Sequence, residues 1–311
     1  MLGIVIVNWN SGEQLEKCLK SFLPSKPGSS FEVVVVDNGS SDGSQNCCIA
    51  FPEVTLLPCR ENLGFAKACN IGAKRLNKKY LLFLNPDTII DNKCLWGSVY
   101  FMENDANSNI AVCGIALKNE DNKIERSCAY LPSFLRIVSA TVGLDRLKIF
   151  NSTGIHMRDW DHESTKFVDH VIGAYYLIRK SVFDLVNGFD EDYFVYIEDL
   201  DLSRKVKKEG YQIIYIREYV AFHAGGGTSR QVKAKRLFYS IYSRLVYSAK
   251  NFGVLGFLSI YILSFTMEFF LRFLGCVVKL DTSGIKNLIM AYQYLASNSY
   301  RIFRLIGSKN D

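Results

Sequence analysis

Nothing in this sequence of 311 residues pairs its cysteines. The nine of them, at positions 18, 47, 48, 59, 69, 94, 113, 128 and 276, form no CxxC and no zinc-type spacing, and several lie in apolar stretches such as Ala111–Ile115. Buried, reduced thiols are expected, not a disulfide framework or a zinc site. No GxGxxG follows a strand-like run, which argues against a dinucleotide oxidoreductase. The loop after the first apolar run, Asn8-Trp9-Asn10-Ser11-Gly12, has no Lys or Arg before Lys17. A nucleotidyltransferase would need a basic, glycine-rich loop there for a triphosphate. No signal peptide is expected, because Gly3–Val7 already reads as a strand. There is no internal repeat, low-complexity tract or clear linker. The charge excess is slight, 37 Lys and Arg against 31 Asp and Glu, so nucleic acid is not implied as a partner. At 49% hydrophobic and 22% charged residues, the chain is not generally disordered.

What is present alternates. Leu2–Val7, Phe31–Val36, Val54–Pro58 and Tyr80–Leu84 are short, continuous apolar runs, as in strands buried on both faces. Helical patterns separate them: Gly12–Leu23 with Leu15, Cys18, Leu19 and Phe22, stopped by Pro24; Ser41–Ile49; and Gly64–Leu76. This rhythm predicts an α/β fold with a doubly wound sheet, whose ligands sit at the carboxyl ends of the strands. Those ends carry Asn8-Trp9-Asn10, Asp37-Asn38-Gly39-Ser40 and Asn85-Pro86-Asp87. From residue 110 the pattern is mixed, with strands expected at Ile110–Leu117, Val168–Ile178 and Gln212–Ile216, a helix at 199–209, and a poorly patterned stretch from 119 to 167.

Four motifs invite chemistry, each with a plainer structural reading. Asp37 can accept a hydrogen bond from a base imide, or belong to a strand–turn–helix corner capped by Ser41 or Asp42. Asp87, in a proline-stiffened turn, can ligate a hard divalent cation that bridges phosphates, or merely end a strand. Gly188–Asp201 mixes acids with aromatics, so some carboxylates are expected to be buried and suited to general-base work, unless they only favour a helix start. His223 precedes a glycine run through Gly227 that can present backbone N–H groups to a diphosphate. His156, His162 and His170, near Asp159, Asp161 and Glu163, match no ligand spacing and read as loop residues.

Taken in order, these motifs resemble glycosyltransferase family 2, particularly its rhamnosyltransferase-like bacterial members. The resemblance spans about residues 3–229. It rests on Ile4–Asn10, Val36–Ser44, Asn62–Gly72, Leu84–Asp87, Gly173-Ala174, Gly188–Glu191, Tyr196–Leu202 and His223. It implies a GT-A fold: a Rossmann-like mixed sheet flanked by helices, with a nucleotide-sugar half over about 1–117 and an acceptor half over about 118–229. It implies Asn8, Asn10, Asp37, Asn38, Gly64, Asn70, Asn85 and Asp87 on the nucleotide-sugar side, and Gly173, Ala174 and Asp201 on the acceptor side. Asp87 corresponds to the last acid of the family's Asp-X-Asp motif. Asn85 replaces the first, so His223 becomes the natural further ligand for Mg2+ or Mn2+. Asp199 matches the expected base of an inverting displacement, with Glu198 a lesser alternative.

The implied activity is transfer from a dTDP- or UDP-sugar, best guessed as dTDP-rhamnose, to a glycan or lipid-linked acceptor. The alternatives are an inactive sugar-nucleotide-binding scaffold subunit and, less favoured, a sugar nucleotidyltransferase. Residues 230–311 fall outside the resemblance. Arg230–Lys250 has six basic and no acidic residues, and Gly253–Val278 has only Glu268 and Arg272 charged, four apart. Helices lying in the interface of a cytoplasmic membrane face are expected for 230–278, against the alternatives of a spanning helix or a core or dimer helix, with homo-oligomerisation open.

Overall fold

The computed structural model describes residues 1–23, 31–225 and 232–307. Pro24, the glycine run from Gly226 through Ser229, and Arg230 at the head of the basic segment lie outside the described residues.

The apolar runs, which have no polar face to give to water, become strands. In chain order the elements begin β1 (Leu2–Asn8), α1 (Gln14–Phe22), β2 (Phe31–Asp37), β3 (Val54–Pro58), α2 (Phe65–Lys74) and β4 (Tyr80–Leu84). There follow β5 (Thr88–Ile89), α3 (Asn92–Glu103), β6 (Ile110–Lys118), β7 (Cys128–Ala129) and α4 (Phe134–Thr141). Next come β8 (Lys166–Val168), β9 (His170–Val171), β10 (Tyr175–Arg179), α5 (Lys180–Leu185), α6 (Glu198–Lys208) and β11 (Gln212–His223). The chain closes with α7 (Lys233–Asn251), α8 (Gly253–Leu263), α9 (Phe269–Val278) and α10 (Thr282–Gly307).

One nine-stranded sheet runs β3-β2-β1-β4-β10-β6-β11-β5, with β8 also on β11. Strands β3, β2, β1 and β4 are parallel, in a register that sets Asn8 opposite Asp37. Strand β10 is antiparallel to both β4 and β6, which makes the sheet mixed. Its core joins Ile4, Ile6, Val35 and Leu82 to Leu15, Leu19 and Phe22 of α1, all fully or almost fully buried. Each such side chain contributes roughly 1.5–3 kcal/mol by leaving water. All nine cysteines are free, six of them buried.

Four local expectations are corrected. The helix expected at Ser41–Ile49 is a 3-10 turn at Ser44–Ala50, entered through Gly43 at φ +77°. The strand expected over Val168–Ile178 breaks into β8, β9 and β10, because β9 leaves the main sheet to pair with β7. Strand β11 runs past Ile216 to His223, since an irregularity between Ile216 and Val220 interrupts its alternation without ending it. Within the poorly patterned stretch, α4 forms, capped by Ser133.

The chain divides into two compact units. Unit 1 comprises Met1–Ala129, Trp160–Phe194 and Glu198–Thr228, and holds the whole sheet. Unit 2 comprises Tyr130–Asp159, Val195–Ile197 and Ser229–Asp311. It therefore takes a segment that the sequence pattern assigned to the acceptor half. Within unit 2, Phe134 meets Phe252 edge-on at 6.0 Å, and the Tyr247 hydroxyl donates to the Pro132 carbonyl at 3.2 Å. Helices α7 and α10 pack together, with the Phe238 and Tyr294 rings 5.9 Å apart and Ile241, Leu245, Ala291 and Leu295 buried. Helices α8 and α9 are joined by a π-helical turn, Ser264–Glu268, where Glu268 is buried between Arg244 and Arg272. Gly253–Val278 is long and apolar enough to cross a membrane, and 22% of its apolar window is buried.

Candidate active site

The ends of β1 and β2 are locked together by side chains. Asn8 is fully buried, and its amide donates to Asp37 Oδ1 at 2.8 Å, Ser44 Oγ at 2.9 Å and Ser40 Oγ at 3.1 Å. Its oxygen accepts from Ser11 and Ser44. Asn8 is thus occupied by protein partners and acts on the rim by orienting Asp37. Asp37 accepts once more, from Ser40 N–H at 3.3 Å, which leaves carboxylate lone pairs over. Asn10, at φ +49°, anchors the Ser40–Ser41 turn by accepting from Ser41 N–H at 2.7 Å.

Asn38 is likewise committed. It donates to Asn62 Oδ1 at 3.0 Å and to the Gly64 carbonyl at 3.2 Å, and accepts from Leu63 N–H at 2.8 Å. Gly64 has φ +88°, and a Cβ there would lie 2.6 Å from the Phe194 carbonyl oxygen, so only glycine fits. Asn70 clasps the loop after α5: it donates to the Phe189 carbonyl and Glu191 Oε1 and accepts from Phe189 N–H at 3.0 Å. Asn38 and Asn70 were expected to meet the nucleotide; the structure gives them framework bonds that hold the Asn62–Phe65 turn and the Gly188–Glu191 loop.

The second cluster is where β4 ends. Asn85 N–H donates to the Ala174 carbonyl at 3.2 Å, tying β4 to β10. Strand β5 pairs His223 with Thr88, and the Ala224 N–H donates to the Asp87 carbonyl at 3.1 Å. This brings His223 Nε2 within 3.4 Å of Asp87 Oδ1, while Nδ1 lies 2.8 Å from Glu125 Oε2. Burial favours the neutral imidazole, but hydrogen bonds and charge from Asp87 and Glu125 outweigh it and raise the His223 pKa to about 9. Glu125 is absent from the sequence motifs; no pattern marks it, because a turn after β6 delivers it. Among the described residues no three acid, histidine or cysteine side chains form a self-sufficient metal cage. One carboxylate and one imidazole nonetheless suit a hard cation that takes its remaining oxygens from substrate phosphates.

The third cluster opens α6. Asp199 Oδ2 accepts from Gly173 N–H at 2.8 Å and Oδ1 from Leu200 N–H at 2.8 Å, and its side chain is 18% exposed. Glu198 is buried, and its Oε2 has no hydrogen-bond partner among the described residues. Burial first, then the charge of Asp199, pushes the Glu198 pKa well above the usual carboxylate range. The two adjacent acids thus sit in different settings, Glu198 buried with one oxygen unbonded and Asp199 held by two backbone N–H groups. Tyr196 and Ile197, immediately before them, both have φ +69°, a left-handed conformation that costs a bulky or β-branched residue about 1–3 kcal/mol. Asp201 points elsewhere, to the Tyr193 hydroxyl at 3.5 Å and Lys205 Nζ at 3.7 Å.

His170, expected in a loop, is a buried strand residue. Its Nε2 lies 3.8 Å from Asp199 Oδ2 and its Nδ1 is 2.9 Å from Ser203 Oγ, which in turn contacts the Tyr176 hydroxyl at 3.0 Å. Nothing in its spacing signals this, because the contact spans two elements. His162 is also buried, stacked on Trp160 at 4.1 Å, and desolvation lowers its pKa. No zinc cluster forms from these histidines among the described residues.

Residues 3–184 match the family described as "Glycosyl transferase family 2". Among curated relatives, an N-acetylglucosaminyl-diphospho-decaprenol L-rhamnosyltransferase of Mycobacterium tuberculosis is 27% identical over 241 residues, covering 72% of this chain and 76% of its own. The rhamnosyltransferase WbbL of Escherichia coli is 26% identical over 260 residues, covering 81% and 94%. Among solved structures, Staphylococcus aureus TarS 1–349 with UDP-GlcNAc superposes with a TM-score of 0.54 at 17% identity, over 98% of this chain and 83% of that one. The mannosyltransferase PcManGT of Pyrobaculum calidifontis, in complex with GDP-Man and Mn2+, gives 0.53 at 16% identity, over 99% and 79%. At such identities the structural likeness speaks for the fold.

Proposed function

The chain belongs to glycosyltransferase family 2, with that family's GT-A fold and nucleotide-sugar chemistry, and from this premise we propose that it is an inverting rhamnosyltransferase acting on a lipid-linked acceptor. The observation that carries the mechanism is Asp199. Its carboxylate is mostly buried, fixed by two backbone N–H groups, and set beside Glu198, whose pKa burial raises. Asp199 takes the proton of the acceptor hydroxyl as that oxygen attacks the anomeric carbon, and the nucleoside diphosphate leaves on the opposite face. Asp37 accepts from the imide N–H of thymine or uracil. Asn8, Asn10 and Asn38 hold the rim rigid around it.

Asp87 and His223 are the residues proposed to hold Mg2+ or Mn2+. When bound, the ion neutralises charge that develops on the departing diphosphate. Two relatives named as rhamnosyltransferases support rhamnose as the sugar, and the diphospho-decaprenol in one of their names supports a polyprenyl diphosphate acceptor. Such an acceptor stays at the bilayer surface, so membrane contact through residues 230–278 on the cytoplasmic face is part of this reading.

A panel of dTDP-rhamnose, UDP-GlcNAc and GDP-mannose, scored by thermal shift and then by transfer to a polyprenyl diphosphate N-acetylglucosamine, tests it. The expected result is transfer from dTDP-rhamnose with inversion at the anomeric carbon. Selective turnover of another donor would remove rhamnose, and retention would remove the single displacement at Asp199.

A further inference from the structure

Unit 2 carries twenty of the twenty-five large hydrophobic side chains that stand exposed among the described residues. Its sequence holds sixteen Lys and Arg against five Asp and Glu, while the rest of the chain is net acidic. An apolar surface framed by one sign of charge calls for an anionic, apolar partner.

Six of those side chains lie ahead of the C-terminal helices. Phe134, Leu135, Leu144, Leu147, Ile149 and Phe150 are spread along α4 and the two 3-10 turns after it, with Leu135 75% and Ile149 82% exposed. The exposed cations Arg146 and Lys148 alternate with them. This segment sits beside the long apolar helix. Phe134 packs on Phe252 ahead of α8, and a cavity of about 210 Å³ is lined by Thr141, Gly143 and Arg146 together with Glu268, Leu271 and Arg272. On α9, Phe270 is 58% exposed, and Leu271 and Leu274 also stand out.

We propose that residues 134–150 are a second membrane-docking element, which inserts Leu147, Ile149 and Phe150 among acyl chains while Arg146 and Lys148 meet the phosphates of anionic phospholipid. The proposal rests on the membrane contact read above for residues 230–278, and extends it to a segment distant in sequence. A second copy of the chain fits this surface less well, because a two-fold interface sets each patch against itself and would bring Arg146 and Lys148 of the two copies together. A bilayer takes both chemistries at once, acyl chains below and phosphate above.

The test uses the full chain with phosphatidylcholine vesicles, with and without phosphatidylglycerol, read by co-sedimentation. One variant combines Leu147→Ser, Ile149→Ser and Phe150→Ser; a second combines Arg146→Gln and Lys148→Gln; a third, on α9, combines Leu271→Ser and Leu274→Ser. Thermal melting and donor hydrolysis report that each is folded. The first should lower partitioning about ten-fold or more. The second should lower the preference for phosphatidylglycerol by about five-fold per cation. An Ile149→Trp variant should shift its tryptophan emission to the blue on both vesicle types.

If the first variant partitions like the parent while the α9 variant does not, residues 134–150 are no docking element and the C-terminal reading stands. If the parent binds neither vesicle, the membrane reading fails and this inference falls with it. If the first variant instead converts a dimer to a monomer by light scattering, with vesicle binding unchanged, a second copy is the occupant and the proposal is overturned.

Discussion

His170 Nε2 lies 3.8 Å from Asp199 Oδ2, on the same carboxylate oxygen that the Gly173 N–H holds at 2.8 Å. The imidazole is buried and steadied from behind by Ser203. It is therefore a positioning residue for Asp199. Substitution His170→Ala should lower kcat by about ten-fold and leave the donor KM nearly unchanged, because the lost contact acts on the base and not on the nucleotide. A fall in thermal stability with kcat unchanged would make His170 merely structural.

The two acids at the head of α6 should separate cleanly. Asp199→Asn should cut transfer by about a thousand-fold or more while donor binding persists. Glu198→Gln replaces a carboxyl whose charge is disfavoured by burial with a neutral amide, so it should retain activity to within about ten-fold. The reverse ranking would move the base to Glu198.

Glu198 also makes stability depend on pH. Its folded pKa is raised above the ordinary 4.5 by burial and by Asp199. The sign follows from proton binding: its stabilising contribution is fully present below about pH 4.5 and is lost as pH rises towards the raised folded value. Glu198→Gln removes that dependence. Melting curves from pH 5 to 8 should therefore show the variant gaining on the parent as pH rises, and parallel curves would contradict the assignment.

At the other end of the site, Asp87→Asn should weaken Mn2+ binding in the presence of dTDP, measured by calorimetry or by the electron spin resonance of free Mn2+. Glu125→Gln leaves both proposed ligands in place but releases the imidazole that Glu125 orients from 2.8 Å. It should cost about ten- to a hundred-fold in metal affinity. Unchanged affinity in Glu125→Gln would confine Glu125 to the packing of its turn, and full transfer in chelator would remove the metal from the reaction.

Much of this site was legible because parallel strands deliver consecutive residues to one rim. Asn8, Asp37 and Asn85 could be placed from apolar runs alone, since each ends a strand whose neighbours fix its register. The contacts of Asn38 and Asn70 were not readable in this way: an amide that binds a nucleotide and one that ties down a loop look alike in sequence. His170 and Glu125 were invisible for a different reason. Each acquires its role from a partner that is distant in sequence, 29 residues away for Asp199 and 98 for His223. The grouping of the 134–150 segment with the C-terminal helices was not readable either, because that segment is apolar without a regular period. Beyond α4 its hydrophobic residues face outward from short turns, so no helical or strand repeat records them.

The left-handed pair Tyr196–Ile197 bears on anyone who would transplant this catalytic helix into a related scaffold. Asp199 follows this pair by two residues, and the pair occupies a conformation most sequences would relax out of. A chimera spliced at Glu198 would carry the acids but lose the bend that precedes them. One spliced ahead of Tyr196 would import the bend, but only into a recipient able to enforce it. The smallest portable unit of this active site therefore starts before its first carboxylate.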